Sequence, residues 1–206
     1  MKTTHVSYNN YLYLTLALIG LSGMANSAEQ SNDVRCGRLF DYTASASPIM
    51  KSTGWYSVND NVMGGRSLGS FDFTDNALRF KGEINTNGGG FASIRHDIAS
   101  PLFAKADSLL FSVQTDGRDY SVNIRDQQSA ASRISHRASL TTSSSKTFQT
   151  VEVLFSDLVP TFRGRIVASQ QFIPSDVLSL SIMLSDGIDG QFGLNIAWID
   201  VCHSTQ

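Results

Sequence analysis

The sequence predicts an all-β sandwich, and three observations predict it. Apolar residues recur with period two rather than 3.6 along most of the chain. The alternating segments are short and are separated by Asn, Asp and Gly turn residues. Only four prolines occur, and Pro101, Pro160 and Pro174 all fall between alternating segments, where no ladder amide is lost. The chain has 206 residues, 41% of them hydrophobic and spread along its length, which is enough for one buried core and a single domain.

Residues 1–28 read differently from the rest. Lys2 is their only Lys or Arg, and no acid occurs before Glu29. An apolar stretch runs over residues 11–21, and Ala25, Asn26, Ser27 and Ala28 close the segment. That order describes a secretory signal peptide over 1–28, followed by a mature domain over 29–206. The apolar stretch is too short for a membrane-spanning helix, which needs about 20 residues, so no span is expected after cleavage. The expected location is secreted or periplasmic.

Residues 29–50 read as an irregular lead-in with an edge strand near 37–41. In residues 77–84, Leu78, Phe80, Gly82 and Ile84 alternate with Arg79, Lys81 and Glu83. Leu109, Phe111 and Val113 share one face of the next strand, over 108–115. Tyr120, Val122 and Ile124 alternate with Asp119, Ser121, Asn123 and Arg125. Val151, Val153 and Phe155 alternate with Thr150 and Glu152, and residues 155–158 suit a single helical turn. Leu178, Leu180, Ile182 and Leu184 alternate with serines, and Phe192, Leu194, Ile196 and Trp198 with Gln191, Gly193 and Asn195. Each pattern predicts a strand with one buried face. Residues 139–147, rich in Ser and Thr, read as a polar loop or hairpin end.

The two cysteines, Cys36 and Cys202, stand near the two ends of the mature domain. In an oxidising compartment they are expected to pair, which stabilises by roughly 4–5 kcal/mol in the chain-entropy model. Two separate buried thiols are the alternative.

Composition and motifs exclude several chemistries. The formal net charge is −2 with no run of like charges, so no basic field attracts nucleic acid or anionic lipid. His96, His136 and His203 lack metal-ligand spacing, and neither a metal nor a cofactor is expected. Residues 64–69 have P-loop-like spacing, but Ser70 stands where the lysine belongs. Glu83 and Asp97 are the acids a glycosidase pair would draw on, yet nothing in the sequence brings them together. Asp72, Asp75 and the acidic turn over 185–190 lack EF-hand spacing and read as solvated turns. The expectation is a protein that binds rather than catalyses.

Two features invite a binding role. Residues 55–69, WYSVNDNVMGGRSLG, form either a shaped loop facing a partner or a plug that seats Trp55 and Met63 in the core. Arg95, Arg118, Arg163 and Arg165 all lie beside glycines. Period two places Phe91, Ser93 and Arg95 on one face, as in a groove with an apolar floor and a charged rim. The alternative is internal pairing with acids such as Asp60, Asp116 or Asp157.

Taken in order, six stretches resemble the complex I intermediate-associated protein family: WYSVNDNVMGGRS (55–67), FKG (80–82), NGGGFASIR (87–95), DGRDY (116–120), RGR (163–165) and DGQFGL (189–194). The resemblance implies a galactose-binding-like jelly-roll β-sandwich, similar to some carbohydrate-binding modules, and a non-enzymatic protein. The family's eukaryotic members imply an assembly-factor or chaperone-like role towards respiratory complex I, with a protein as partner. By motif position the resemblance implies a binding site formed from Asp60, Met63, Gly64, Gly65, Ser67, Arg95, Arg118, Tyr120, Arg163 and Arg165. A secretory segment places this chain across the membrane from the matrix-side members. A glycan is the alternative partner, with Trp55, Tyr56 and Tyr120 as the aromatics available to lie beneath a sugar ring.

Overall fold

A computed structural model describes residues 33–44, 54–99, 101–140, 142–168 and 170–205. The segment expected to be a signal peptide lies outside the described residues. In chain order the strands are β1 (Asp33–Asp41), β2 (Trp55–Asn59), β3 (Leu68–Phe73), β4 (Leu78–Ile84), β5 (Ala92–Asp97), β6 (Ser108–Thr115) and β7 (Tyr120–Asp126). A one-turn helix, α1 (Gln127–Ala131), leads to β8 (Ser135–Ser139), β9 (Gln149–Leu154), β10 (Val159–Phe162), β11 (Arg165–Ile166), β12 (Val177–Leu184) and β13 (Gly190–Thr205).

These strands build two antiparallel sheets. The first has the order β3-β4-β13-β6-β9, and β1 pairs with the distal half of β13. The second has the order β11-β10-β8-β7-β12-β5-β2. Leu78, Phe80, Leu109, Phe111, Val113, Leu194 and Ile196 from the first sheet meet Ile94, Val122, Ile124, Leu180, Ile182 and Leu184 from the second. All are fully buried, so the all-β sandwich holds; the alternation slips at two register shifts, between Val177 and Ser179 and between Ile196 and Trp198, which leave Leu178 exposed and Trp198 only half-buried. Cys36 sits directly across from Cys202 in the β1–β13 register, and the expected disulfide joins them.

The structure departs from the sequence reading where strands are short or lie outside the alternation. Residues 55–69 are not a loop. Trp55 is core, Trp55–Asn59 pairs with β5 as an edge strand, a 3-10 turn covers Asp60–Met63, and β3 follows. Pro160 stands inside β10 rather than between strands, opposite His136 of β8. α1 is set by a capping box: Asp126 accepts from the Ser129 amide at 2.7 Å, and the Ser129 hydroxyl bonds the Asp126 amide at 2.9 Å. The single helical turn read at 155–158 is present as a 3-10 turn over Phe155–Asp157.

Candidate ligand-binding groove

Period two sends every second side chain of the seven-stranded sheet away from the core. On β12 these are Ser179, Ser181 and Met183; on β7, Asn123 and Arg125; on β5, Arg95; on β8, Ser135 and Arg137. They floor an open groove of about 530 Å³ on the outer face of the sheet. Arg95, Ser181, Asn123 and Arg137 are successive cross-strand partners on β5, β12, β7 and β8. The two arginines of this row therefore stand three inter-strand steps apart, about 14 Å at backbone level. Met63, Phe91 and Arg163 from the flanking turns, with Phe162 at the end of β10, form walls. Ser181 and Asn123 are buried despite facing away from the core.

Five lining residues are arginines: Arg95, Arg125, Arg133, Arg137 and Arg163. Among the described residues no Asp, Glu, His or Cys lines the groove. Among the described residues, none of the five arginines forms an ion pair. Arg125 Nε donates to Ser135 Oγ at 2.9 Å, and Arg137 Nη2 to Ser185 Oγ at 2.8 Å. Arg95 Nε is buried without a hydrogen-bond partner. Burial lowers the proton affinity of the Arg125 guanidinium, and the charge of Arg95 lowers it further. Burial alone does the same to Arg137. The groove thus concentrates cations that are partly stripped of water.

One end of the groove is organised by a buried carboxylate. Asp60 is fully buried and accepts from the Ser67 hydroxyl at 2.6 Å, the Ser67 amide at 2.9 Å, the Gly90 amide at 2.6 Å and the Phe91 amide at 3.3 Å. Burial pushes the Asp60 carboxyl up, but these donors outweigh it, the Ser67 hydroxyl first, and hold it below the ordinary carboxylate value. A Cβ on Gly65 would lie 2.3 Å from the Asp60 carboxyl carbon, and one on Gly89 2.3 Å from its oxygen. The two glycine-rich stretches are therefore glycine-rich because both backbones close onto one carboxylate. They carry Met63, Gly89, Gly90 and Phe91 to the groove wall.

The residues picked out by the family motifs divide accordingly. Met63, Arg95 and Arg163 line the groove. Asp60, Gly65 and Ser67 build its rim from inside, and Gly64 closes the 3-10 turn at φ 89°. Tyr120 is core, its hydroxyl donating to Asp116 at 3.2 Å, and Trp55 is core as well. Of the aromatics considered for sugar stacking, only Tyr56 is exposed, beside Arg95 on the outer face. Arg118 is internally paired, though with Asp186 rather than with the acids named from sequence. Arg165 is exposed and stands outside the groove lining. Arg125, Arg133 and Arg137 escaped the sequence reading. Arg125 sits in the period-two pattern with no sign of a site, and β8, which carries Arg137, is too short and polar for that pattern to reveal it.

A family model described as Complex I intermediate-associated protein 30 (CIA30) matches residues 40–196. No curated protein matches the chain significantly. Among solved structures, the family 11 carbohydrate-binding module from Clostridium thermocellum, in complex with a β-1,3-1,4-mixed-linked tetrasaccharide, is similar with TM-score 0.53 and 15% identity, over 76% of this chain and 92% of that one. The family 30 carbohydrate-binding module of a cellulosomal cellulase from the same organism has TM-score 0.54 and 15% identity, over 81% and 96%. An agarase has TM-score 0.54 and 12% identity, over 83% of this chain but only 25% of its own. At such identities the likeness is one of fold.

Proposed function

From the premise that this chain belongs to the complex I intermediate-associated protein 30 family, we propose that it is a non-catalytic binding module that seats an extended ligand in the groove of the seven-stranded sheet. The observation that carries this reading is the groove itself: an open cleft lined by five arginines and by hydroxyl and amide side chains, with no carboxylate, histidine or cysteine among the described lining residues to act as acid, base or nucleophile. The fold it shares with carbohydrate-binding modules supports a glycan chain as the ligand. The test is a glycan panel probed with the wild-type protein and Arg95→Gln, with hydrogen exchange to map the protected backbone. Binding that protects β5, β7, β8 and β12 and weakens in the variant supports the reading. Binding indifferent to Arg95 and mapped elsewhere removes it.

A second reading, a protein partner in an assembly or chaperone-like role, is favoured by the family and by the exposed apolar residues Val62, Met63 and Leu68 beside the groove rim. Crosslinking in an envelope extract, with Val62→Ser alongside, tests it. A discrete protein lost in the variant supports it.

The chain's place in an oxidising, extracytoplasmic compartment is part of the proposal. The disulfide and the signal-like composition of residues 1–28 support it. Among the described residues no helix is long and apolar enough to cross a membrane. The mass of the protein recovered from its native compartment checks the processing.

A further inference from the structure

Building on the binding-module reading, we propose that the groove selects an acidic polysaccharide, one carrying carboxylate or sulfate groups along its chain, and discriminates against neutral glycans. Four observations carry this. The first is charge segregation. The chain has 16 Lys and Arg and 18 Asp and Glu, yet among the described residues five arginines and no acid line this one cleft. Like charges gathered on one face repel one another and oppose folding unless an anion answers them.

The second is the state of the guanidinium groups. Each carries five donors in a planar fork suited to two-oxygen anions. Arg125 and Arg137 each spend a donor on a serine hydroxyl, which orients the fork without neutralising it. The buried Nε of Arg95 has no partner at all. These forks stand ready for a carboxylate or sulfate.

The third is the lack of a stacking platform. Among the described residues no Trp or Tyr lines the groove; its aromatics are Phe91 in one wall and Phe162, which is covered by the guanidinium of its own neighbour, Arg163, 5.4 Å from the ring centroid. Neutral sugars are held largely by stacking on aromatic faces and by hydrogen bonds. Here the aromatic half of that pairing is weak. Tyr56, exposed across from Arg95, stands outside this lining.

The fourth separates a polysaccharide from an acidic peptide. The groove runs over the face of the sheet, where the strands' backbone groups are already paired with their neighbours. An extended peptide recognised through its main chain needs an open strand edge. The floor offers Ser179, Ser181, Asn123 and Thr161 instead, side chains that match a ligand rich in hydroxyls.

The experiment is calorimetric titration of the protein, at physiological salt, with polygalacturonate, dextran sulfate, neutral dextran, mixed-linkage β-glucan and poly-glutamate. The expected result is saturable binding of polygalacturonate or dextran sulfate, with the preferred polymer identifying the anion. Neutral dextran and β-glucan should show at least tenfold weaker binding. Arg95→Gln and the exposed Arg163→Gln should each weaken the anionic polymer at least tenfold. Arg165→Gln, an exposed arginine outside the groove, should leave it unchanged. An equal loss in Arg165→Gln means diffuse ion exchange and overturns the proposal. So does poly-glutamate bound as tightly as the better polysaccharide. Mixed-linkage glucan bound tightly and lost in Arg95→Gln overturns the anionic selectivity while leaving the binding-module reading in place. No binding to any polymer overturns the selectivity and, together with a blank glycan panel, the glycan reading itself.

Discussion

Asp60 and Ser67 are locked to each other twice, the Ser67 hydroxyl donating to one carboxylate oxygen at 2.6 Å and the Ser67 amide to the other at 2.9 Å. The same carboxylate takes the amides of Gly90 and Phe91, thirty residues further on. One buried anion thus ties the turn after β2 to the turn before β5. Asp60→Asn offers a single acceptor oxygen and turns an NH2 group towards donors. It should cost about 2–4 kcal/mol, the scale of losing charge-assisted bonds at a buried site. Gly89→Ala should cost about 1–3 kcal/mol by overpacking, since its Cβ would stand 2.3 Å from the carboxylate. Urea unfolding midpoints measure both. Wild-type stability in Asp60→Asn would show that the knot contributes nothing.

Much of the architecture is legible in the sequence because period two survives wherever a strand has one face in the core. β6 and β12 are long and keep an apolar inward face over most of their length, so the segments read from sequence nearly match their bounds. β2 buries only Trp55 at its start, and β11 is two residues long, so neither carries enough periods to register. The site was partly legible. Phe91 and Arg95, read as one face of a strand with an apolar floor and a charged rim, both line the candidate groove, but Phe91 stands in the turn before β5 as a wall and Arg95 in the floor. Asp60, Gly65 and Ser67 stood out for a different reason: they make backbone-close contacts that sequence cannot distinguish from ligand contacts. Arg137 has no local signal, because its short strand is placed in the groove by pairing with β7 and β10 and not by an apolar alternation of its own.

Arg118 belongs to the fold rather than to the groove. Its Nε and Nη2 grip the two Asp186 oxygens at 2.9 and 2.7 Å, and it also donates to the carbonyls of Gly190, Gln191 and Ile188. The hydrogen bond to Asp186 raises the proton affinity of Arg118. Arg118→Ala leaves a nearly inaccessible carboxylate unpaired and should destabilise by about 3–5 kcal/mol. Arg118→Ala with Asp186→Ala should cost less than the sum of the two single changes. Denaturant titration of the four proteins closes the cycle. Additive losses would show that the pair is not coupled.

The Cys36–Cys202 bond joins β1 to the last strand across a separation of 166 residues. In the chain-entropy model a loop of that length confers up to about 5 kcal/mol through the unfolded state. Reductant, or Cys36→Ala with Cys202→Ala, should therefore lower the urea midpoint markedly while leaving the far-ultraviolet spectrum β-rich at low denaturant. An unchanged midpoint under reductant would mean that the bond does not form in the isolated protein.

Acid should unfold the protein in two stages. His136 is almost fully buried, with its ring 3.6 Å from the Asp126 carboxylate and 5.1 Å from Phe172. Burial lowers its affinity for a proton, and Asp126 offsets this only in part. His96 is lowered by burial in the same direction. The unfolded chain takes up these protons near pH 6.5, whereas the folded chain resists them. The unfolded state therefore binds more protons, and stability falls as pH drops below about 6.5. The second stage comes from Asp60, Asp126 and Asp186. Burial raises each carboxyl, but hydrogen bonds, joined by Arg118 at Asp186 and by the His136 charge at Asp126, leave all three below the ordinary value. Their contribution is complete above the unfolded carboxyl value of about 3.9 and is lost as pH falls through the folded values. Urea midpoints measured from pH 7.5 down to pH 3 should show a shallow decline, then a steep one. His136→Gln should remove the His136 share of the first decline and leave that of His96, and should touch the second only through Asp126, with the Asp60 and Asp186 contributions in place. A flat profile between pH 7.5 and 5 would show that neither histidine is held neutral by the fold.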